Sequence, residues 1–302
     1  MEKLTKKLKD NIEGVKSVLS AKDILVYEFL TGDGTECAIV YTDGMVDKAL
    51  LGDLAARPLS KLTPENKEKG FTLEEVKQTL LFPELKEETQ LQNIFAEVLD
   101  GNSLLLVDGL ETGLIVGAKL LPTRAVMEPP TDIAVKGPRE GFIEDIKTNM
   151  ALLRKRLKTP DLKFELQKAG KRSQTNIAIC YLDGICDEKV KKEVAARIGE
   201  IDIDCIPDSS YVAAFIAPRK HSIFHEVGTT EKPDILAAKM AEGRVGILVD
   251  GSPIALTVPF ILTEDFQSSE DYFVSPFMAT IFRAIRFLAI LIALLLLSLI
   301  HI

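Results

Sequence analysis

Near the middle of the chain, apolar residues fall into a helical rhythm. Between Lys136 and Leu157, the residues Ile143, Ile146, Met150, Leu153 and Leu157 recur at steps of three and four, the stripe of an amphipathic helix. Pro138 suits a first turn, where the amide it lacks has no partner to lose. Glu140, Glu144 and Asp145 crowd the start, Arg154, Lys155, Arg156 and Lys158 crowd the end, and Pro160 stops it. The pattern predicts a helix from Pro138 to Leu157. A second amphipathic helix is expected over residues 5–20, with Leu8, Ile12, Val15 and Leu19 on one face.

Strands are expected at 24–31, 36–41, 104–107 and 114–116, and again at 163–168, 177–181, 201–205, 245–249 and 254–258. Helices are expected at 47–56, 73–81, 91–99, 188–198 and 234–241, with a turn and short helix at 207–215. The rest of 58–88 reads as irregular, and 120–137 as a connector bearing Pro and Glu.

Similar sequence lies on both sides of the central helix. Ala38-Ile-Val-Tyr-Thr-Asp-Gly44 returns as Ala178-Ile-Cys-Tyr-Leu-Asp-Gly184, an offset of 140 (178 less 38). Asp100-Gly-Asn-Ser-Leu-Leu-Leu-Val-Asp-Gly109 returns as Glu242-Gly-Arg-Val-Gly-Ile-Leu-Val-Asp-Gly251, an offset of 142 (242 less 100). Two matches in one order at nearly one offset indicate an internal duplication. The expected fold is α/β with mixed sheets: two related subdomains joined by the central helix, followed by the start of a transmembrane helix. The expected division is an N-terminal helix (1–22), a first subdomain (23–125), a connector with the central helix (126–160), a second subdomain (161–265), a membrane-proximal segment (266–286) and a partial span (287–302).

Composition adds the membrane. No charged residue occurs from Phe287 to Ile302, a run of Leu, Ile and Ala. A spanning helix needs roughly 20 apolar residues, so the expectation is a span cut short at the C-terminus. Arg283 and Arg286 precede it as membrane-flanking residues, which by the positive-inside rule places the N-terminal region in the cytoplasm. The N-terminus lacks an apolar core of the length export requires. Four cysteines without CxxC spacing read as free thiols in a reducing compartment. A formal charge of −8 argues against nucleic acid as a partner.

The candidate motifs carry little chemistry. Val107-Asp-Gly109 and Val249-Asp-Gly251 each sit between two strands, and a hairpin turn accounts for both. Gly170-Lys-Arg-Ser173 lacks the glycine of a phosphate loop, having Glu165 in its place, and has Arg172 where Ser or Thr must follow Lys. His221 and His225 have metal-ligand spacing, but Ser222 replaces the glutamate a zincin needs. No catalytic set emerges, and no cofactor or metal is expected. Arg139, set against a helix dipole, either pairs with a carboxylate across the subdomain interface, such as Glu231, or faces solvent.

One resemblance gathers these features. Pro122-Thr-Arg124, Glu128-Pro129, Val135-Lys-Gly-Pro-Arg-Glu-Gly-Phe142, Glu144, Asn149, Leu152-Leu-Arg154 and Arg156 resemble the GerA family of spore germination proteins. So do Thr230-Glu-Lys-Pro-Asp234, Gln267-Ser-Ser-Glu-Asp-Tyr272 and Phe282-Arg-Ala-Ile-Arg286. The resemblance implies a non-enzymatic A subunit of a nutrient germinant receptor, or the related stage V sporulation AF protein. It implies a cytoplasmic two-lobed region before several spans in the inner spore membrane. The partners implied are a transporter-like B subunit, a lipoprotein C subunit, membrane lipid and further A subunits, with ion release on nutrient sensing. Arg124, Lys136, Arg139, Glu144, Asn149, Arg154 and Glu231 are then candidate coupling residues. A reading from another class is a module that binds a small ligand in the cleft between the lobes.

Overall fold

The computed structural model describes residues 3–64, 70–120, 138–218, 225–261, 263–264 and 274–300. The first lobe runs α1 (Leu8–Val18), β1 (Ile24–Leu30), β2 (Glu36–Thr42) and α2 (Lys48–Leu51). A π-helical turn (Gly52–Ala56) then leads into α3 (Arg57–Leu59) and α4 (Leu73–Thr79). It closes with β3 (Leu85–Glu88), α5 (Leu91–Leu99), β4 (Ser103–Val107) and β5 (Gly113–Val116). The second lobe runs α6 (Ile146–Arg156), β6 (Leu162–Ala169), β7 (Thr175–Leu182), α7 (Glu188–Gly199) and α8 (Ser209–Ile216). It ends with β8 (Gly228–Thr230), α9 (Pro233–Ala241), β9 (Val245–Val249) and β10 (Ala255–Val258). A long helix, α10 (Pro276–Ile300), follows.

The two sheets have one topology, β1-β2-β4-β5-β3 and β6-β7-β9-β10-β8. The duplication thus extends from sequence to strand order. The pairings are antiparallel throughout, not mixed. The central strands β4 and β9 are continuous apolar runs, which usually mark strands of a parallel sheet covered on both faces. Here helices cover both faces of an antiparallel sheet. In the first lobe, α1 and α5 pack on Ala38, Val40, Leu104 and Leu106, while α2 to α4 pack on Cys37, Ile39, Leu105 and Val107. In the second, α6 and α9 cover Ala178, Cys180 and Leu248, and α7 and α8 cover Ile177, Ile179 and Ile247. Alternation along each strand feeds the two cores in turn.

The structure departs from the expected elements in several places. The central helix begins at Ile146, not Pro138, because Asp145 is the residue that caps it, accepting from the Thr148 amide at 2.8 Å. Residues 201–205 form no strand; their carbonyls instead accept the amides of Lys171, Arg172 and Ser173. The short edge strands β3 and β8 are added. The apolar helix begins at Pro276, ahead of the uncharged run at Phe287, and includes Arg283 and Arg286. Its 22 residues from Pro276 to Leu297 are long and apolar enough to cross a membrane, with a mean hydropathy of 2.3.

Candidate functional site: a charged seam between the lobes

The central helix has two working faces. Ile146, Met150 and Leu153 enter the second lobe's core together with Phe142. Lys147, Ala151, Arg154 and Lys158 follow each other at steps of four, three and four and face the first lobe. Lys147 Nζ lies 3.1 Å from Asp43 Oδ2, and Lys158 pairs with Asp100. Between them the helix presses on the Asp43-Gly44 turn. A methyl built on Gly44 would lie 3.0 Å from the Lys147 carbonyl oxygen and 3.4 Å from Ala151 Cβ. Glycine is needed there twice over, since its φ is +80°.

Arg154 is the centre of this seam. It is fully buried, and its Nε and Nη2 each donate to the Asp23 carboxylate at 3.0 Å in a two-pronged pair. Nη1 donates to the carbonyl of Thr159 (2.9 Å) and Nη2 also to that of Leu162 (3.0 Å), and the guanidinium lies 5.3 Å from the centre of the Phe164 ring. Asp23 stands just before β1 of the first lobe, 131 residues away in sequence. Burial pushes the Asp23 carboxyl above its usual range, and the Arg154 charge pulls against it. Replacing such a pair by apolar groups can be neutral, but removing one partner strands the other, at a cost of about 3–5 kcal/mol.

Around the seam, burial raises the Asp43 carboxyl, but hydrogen bonds from Lys48 and Lys147 outweigh it and hold it below the usual range. The same balance, with Lys119 and Lys158 as donors, lowers Asp100. Glu140 curls back onto the end of α6 and accepts from Lys155 (2.5 Å) and Arg156 (2.7 Å).

The Val-Asp-Gly turns do more than reverse the chain. Asp108 Oδ1 accepts the amide of Leu8 at 2.9 Å, and Asp250 Oδ1 that of Ile146 at 3.4 Å. Each carboxylate therefore meets the first residue of the helix that opens its lobe. Asn11 and Asn149 repeat a second device, each bonding both amide and carbonyl of a residue six before it, Thr5 and Ile143. The central helix is thus the second lobe's counterpart of α1.

The other expected coupling residues are placed as follows. Arg124 and Lys136 lie outside the described residues. The segment carrying Arg139 meets the Glu231 loop where the Phe142 amide donates to the Glu231 carbonyl at 2.7 Å. Both belong to the second lobe, so the contact is within that lobe and does not bridge the two. Glu144 takes part through its carbonyl, which accepts from the Gly251 amide at 2.8 Å. Asp23 carries no sequence signal beyond its charge, and Asp43, Asp100 and Glu140 stand in repeat or family segments that do not mark them as seam residues. Asp43-Gly44 and Asp100-Gly101 look like turn residues and are that as well. At the far end of the second lobe, Glu264 pairs with Lys239 at 3.1 Å and with Arg244, and accepts the Ile261 amide at 2.9 Å. This ties down the chain that leaves β10 toward α10.

Acid–base or metal chemistry has little to work with. Among the described residues no group of three His, Cys, Asp or Glu could hold a metal ion. Burial pushes the Cys37 thiol up to about 12 and raises Cys180 as well, so neither is a ready nucleophile.

A model of the Bacillus/Clostridium GerA spore germination protein family matches residues 10–301. The chain belongs to the GerA family. It is 35% identical over 289 residues to spore germination protein KA of Bacillus subtilis, covering 95% of this chain and 53% of that protein. Spore germination protein B1 of the same organism is 33% identical, with 94% and 59% covered. Stage V sporulation protein AF is 32% identical over 257 residues, with 85% and 52% covered. This GerA-family chain therefore spans about half the length of the curated relatives it matches. The crystal structure of the N-terminal domain of the A subunit of the Bacillus megaterium spore germinant receptor GerK3 superimposes with a TM-score of 0.66 at 30% identity. The match covers 86% of this chain and 97% of that one.

Proposed function

We propose that this chain is the N-terminal region of an A-type subunit of a spore germinant receptor, a non-enzymatic element of assembly and signalling. The two lobes stand on the cytoplasmic side of the inner spore membrane, ahead of the apolar helix α10. The partners are a transporter-like B-type subunit, a lipoprotein C-type subunit and further copies of the A-type subunit, in a complex that releases ions when nutrient is sensed. The observation that carries the coupling role is the buried Arg154–Asp23 pair. A pair of this kind fixes one arrangement of two bodies, because any other strands a charge away from water. Displacement of one lobe is then passed to the other, and through the Glu264 cluster toward α10.

The test is Arg154→Met in the full-length subunit, introduced into spores. Loss of the nutrient response, or of assembled receptor, is expected; spores that germinate normally with the subunit at its usual level would remove the coupling role. Arg139→Glu in the same background tests the Glu231 loop, with a weaker defect expected. The 32% identity to the stage V sporulation AF protein supports a second reading, an accessory protein of that type. Neighbouring reading frames discriminate: a transporter-like frame and a lipoprotein frame belong to a receptor.

A further inference from the structure

The two lobes differ in the gap between sheet and helix. In the second lobe the gap is filled. Glu165, across from Ile179, accepts the Tyr181 hydroxyl at 2.9 Å, and Lys191 from the regular helix α7 lies 4.4 Å from the Tyr181 ring centre. In the first lobe the matching positions carry Tyr27, across from Ile39, and Phe29, across from Cys37. The Lys191 position is Leu51, and the helix loosens into the π-helical turn Gly52–Ala56. Single-turn π-helices of this sort occur often at functional sites. The result is a cavity of about 560 Å³ between the β1–β2 face and residues 48–60. That volume is in the range of small-ligand pockets.

Its walls specify a chemistry. Tyr27 and Phe29 stack with ring centres 5.7 Å apart and an interplanar angle of 20°, and Tyr27 is half exposed at the mouth. Ile39 and Leu51 give an apolar floor. Lys48 stands 5.8 Å from the Tyr41 ring centre. Its carboxylate partner Asp43, 2.6 Å away, is shared with Lys147, and Arg57 is already paired with Asp53 at 3.0 Å. These five groups leave one positive charge in excess, shared by Lys48 and Lys147 across Asp43, and of the two lysines Lys48 lines the cavity.

We infer that this cavity binds a small planar aromatic carboxylate, its ring on the Tyr27–Phe29 pair and its carboxylate on Lys48. Nothing in the inference depends on the receptor reading, so each can fail alone.

Calorimetric titration of the 302-residue chain in detergent with indole-3-acetate tests it. The chain has no Trp, so the probe's own fluorescence gives a second readout without background. Saturable binding is expected, with the neutral analogue indole-3-ethanol weaker. Tyr27→Ala should weaken binding about tenfold or more. Lys48→Met should erase the preference for the acid over the alcohol. Gly52→Phe fills the cavity without strain, because Gly52 has φ −62° and nothing within 4 Å of an added Cβ. It should abolish binding and also serves as the blank for partition into detergent. Tyr181→Phe in the second lobe should change nothing. Absence of heat above the Gly52→Phe blank, or binding insensitive to both Tyr27→Ala and Lys48→Met, would overturn the inference.

Discussion

The helices α1 and α6 open the two lobes in the same way, yet of these two helices only α6 is, among the described residues, an interface between the lobes. Each meets an Asp from a Val-Asp-Gly turn at its first residue and carries an Asn that ties down the preceding loop. Each packs its apolar stripe under its own sheet. The opposite faces diverge. Where α6 has Ala151 and Arg154, both buried, α1 has Glu13 and Lys16, both exposed. A small residue and a planar, forked cation suit a helix pressed against a neighbour; two solvated charges suit a free face. The same contrast appears in the turns. Gly44 is pressed by α6, whereas a methyl on Gly184 would meet nothing within 4 Å. One repeat unit was thus adapted twice by changing a few surface positions and leaving the core topology intact.

Substitutions at matched positions sharpen or break this contrast. Arg154→Met should have the largest effect, about 3–5 kcal/mol in urea unfolding, because it leaves Asp23 buried and unpaired. Gly44→Ala comes next. It meets the left-handed backbone cost, about 1–2 kcal/mol, plus an overpacking cost of similar size against α6. Gly184→Ala, with φ +77° but open space, should show the backbone cost alone. Equal losses at the two glycines would mean that the seam is not tight. Asp108→Ala and Asp250→Ala should each cost about 1 kcal/mol, as helix-start carboxylates do.

Acid should weaken the ion pairs at Asp43 and Asp100 modestly, while Asp23, raised by burial, acts in the opposite sense. Asp43 and Asp100 hold their protons less tightly folded than unfolded, so the unfolded state binds more protons as the pH falls from the usual carboxylate range near 3.8 downward. Their contribution is present above that range and is lost below it. Both are partly solvated, so the loss is about 1 kcal/mol or less for each. Lys147→Met should reduce the pH dependence of the urea midpoint; an unchanged profile would detach Asp43 from the helix. Smallest of all, Glu13→Ala and Lys16→Ala on the free face should stay within about 0.5 kcal/mol of the parent.

Much of this fold can be read from the chain, for identifiable reasons. The repeated Val-Asp-Gly segments mark hairpins of continuous apolar strands, and the repeated Tyr-x-Asp-Gly segments end strands whose turns lead into helices α2 and α7. The edge strands are harder. Leu85-Lys-Glu-Glu88 has one apolar residue and Gly228-Thr-Thr230 has none, so neither has a hydrophobic period to detect. Pro138 and the acidic residues after it imitate a helix start, while Asp145 is the residue that accepts the helical amide. The seam is legible on one side only. Arg154 enters through the family resemblance and a basic helix end, but nothing local names Asp23, because a charge pair across 131 residues leaves no spacing to recognise. The first-lobe cavity is less legible still, since it depends on a π-helical turn that no residue pattern specifies.

The central claim is that one buried charge pair locks the two lobes into one arrangement. A double-mutant cycle on Asp23→Ala and Arg154→Ala, read by urea unfolding, isolates that interaction from the cost of each truncation. The account predicts a coupling of about 2–3 kcal/mol, with the double variant more stable than the sum of single losses implies. A coupling within about 0.5 kcal/mol of zero would contradict it.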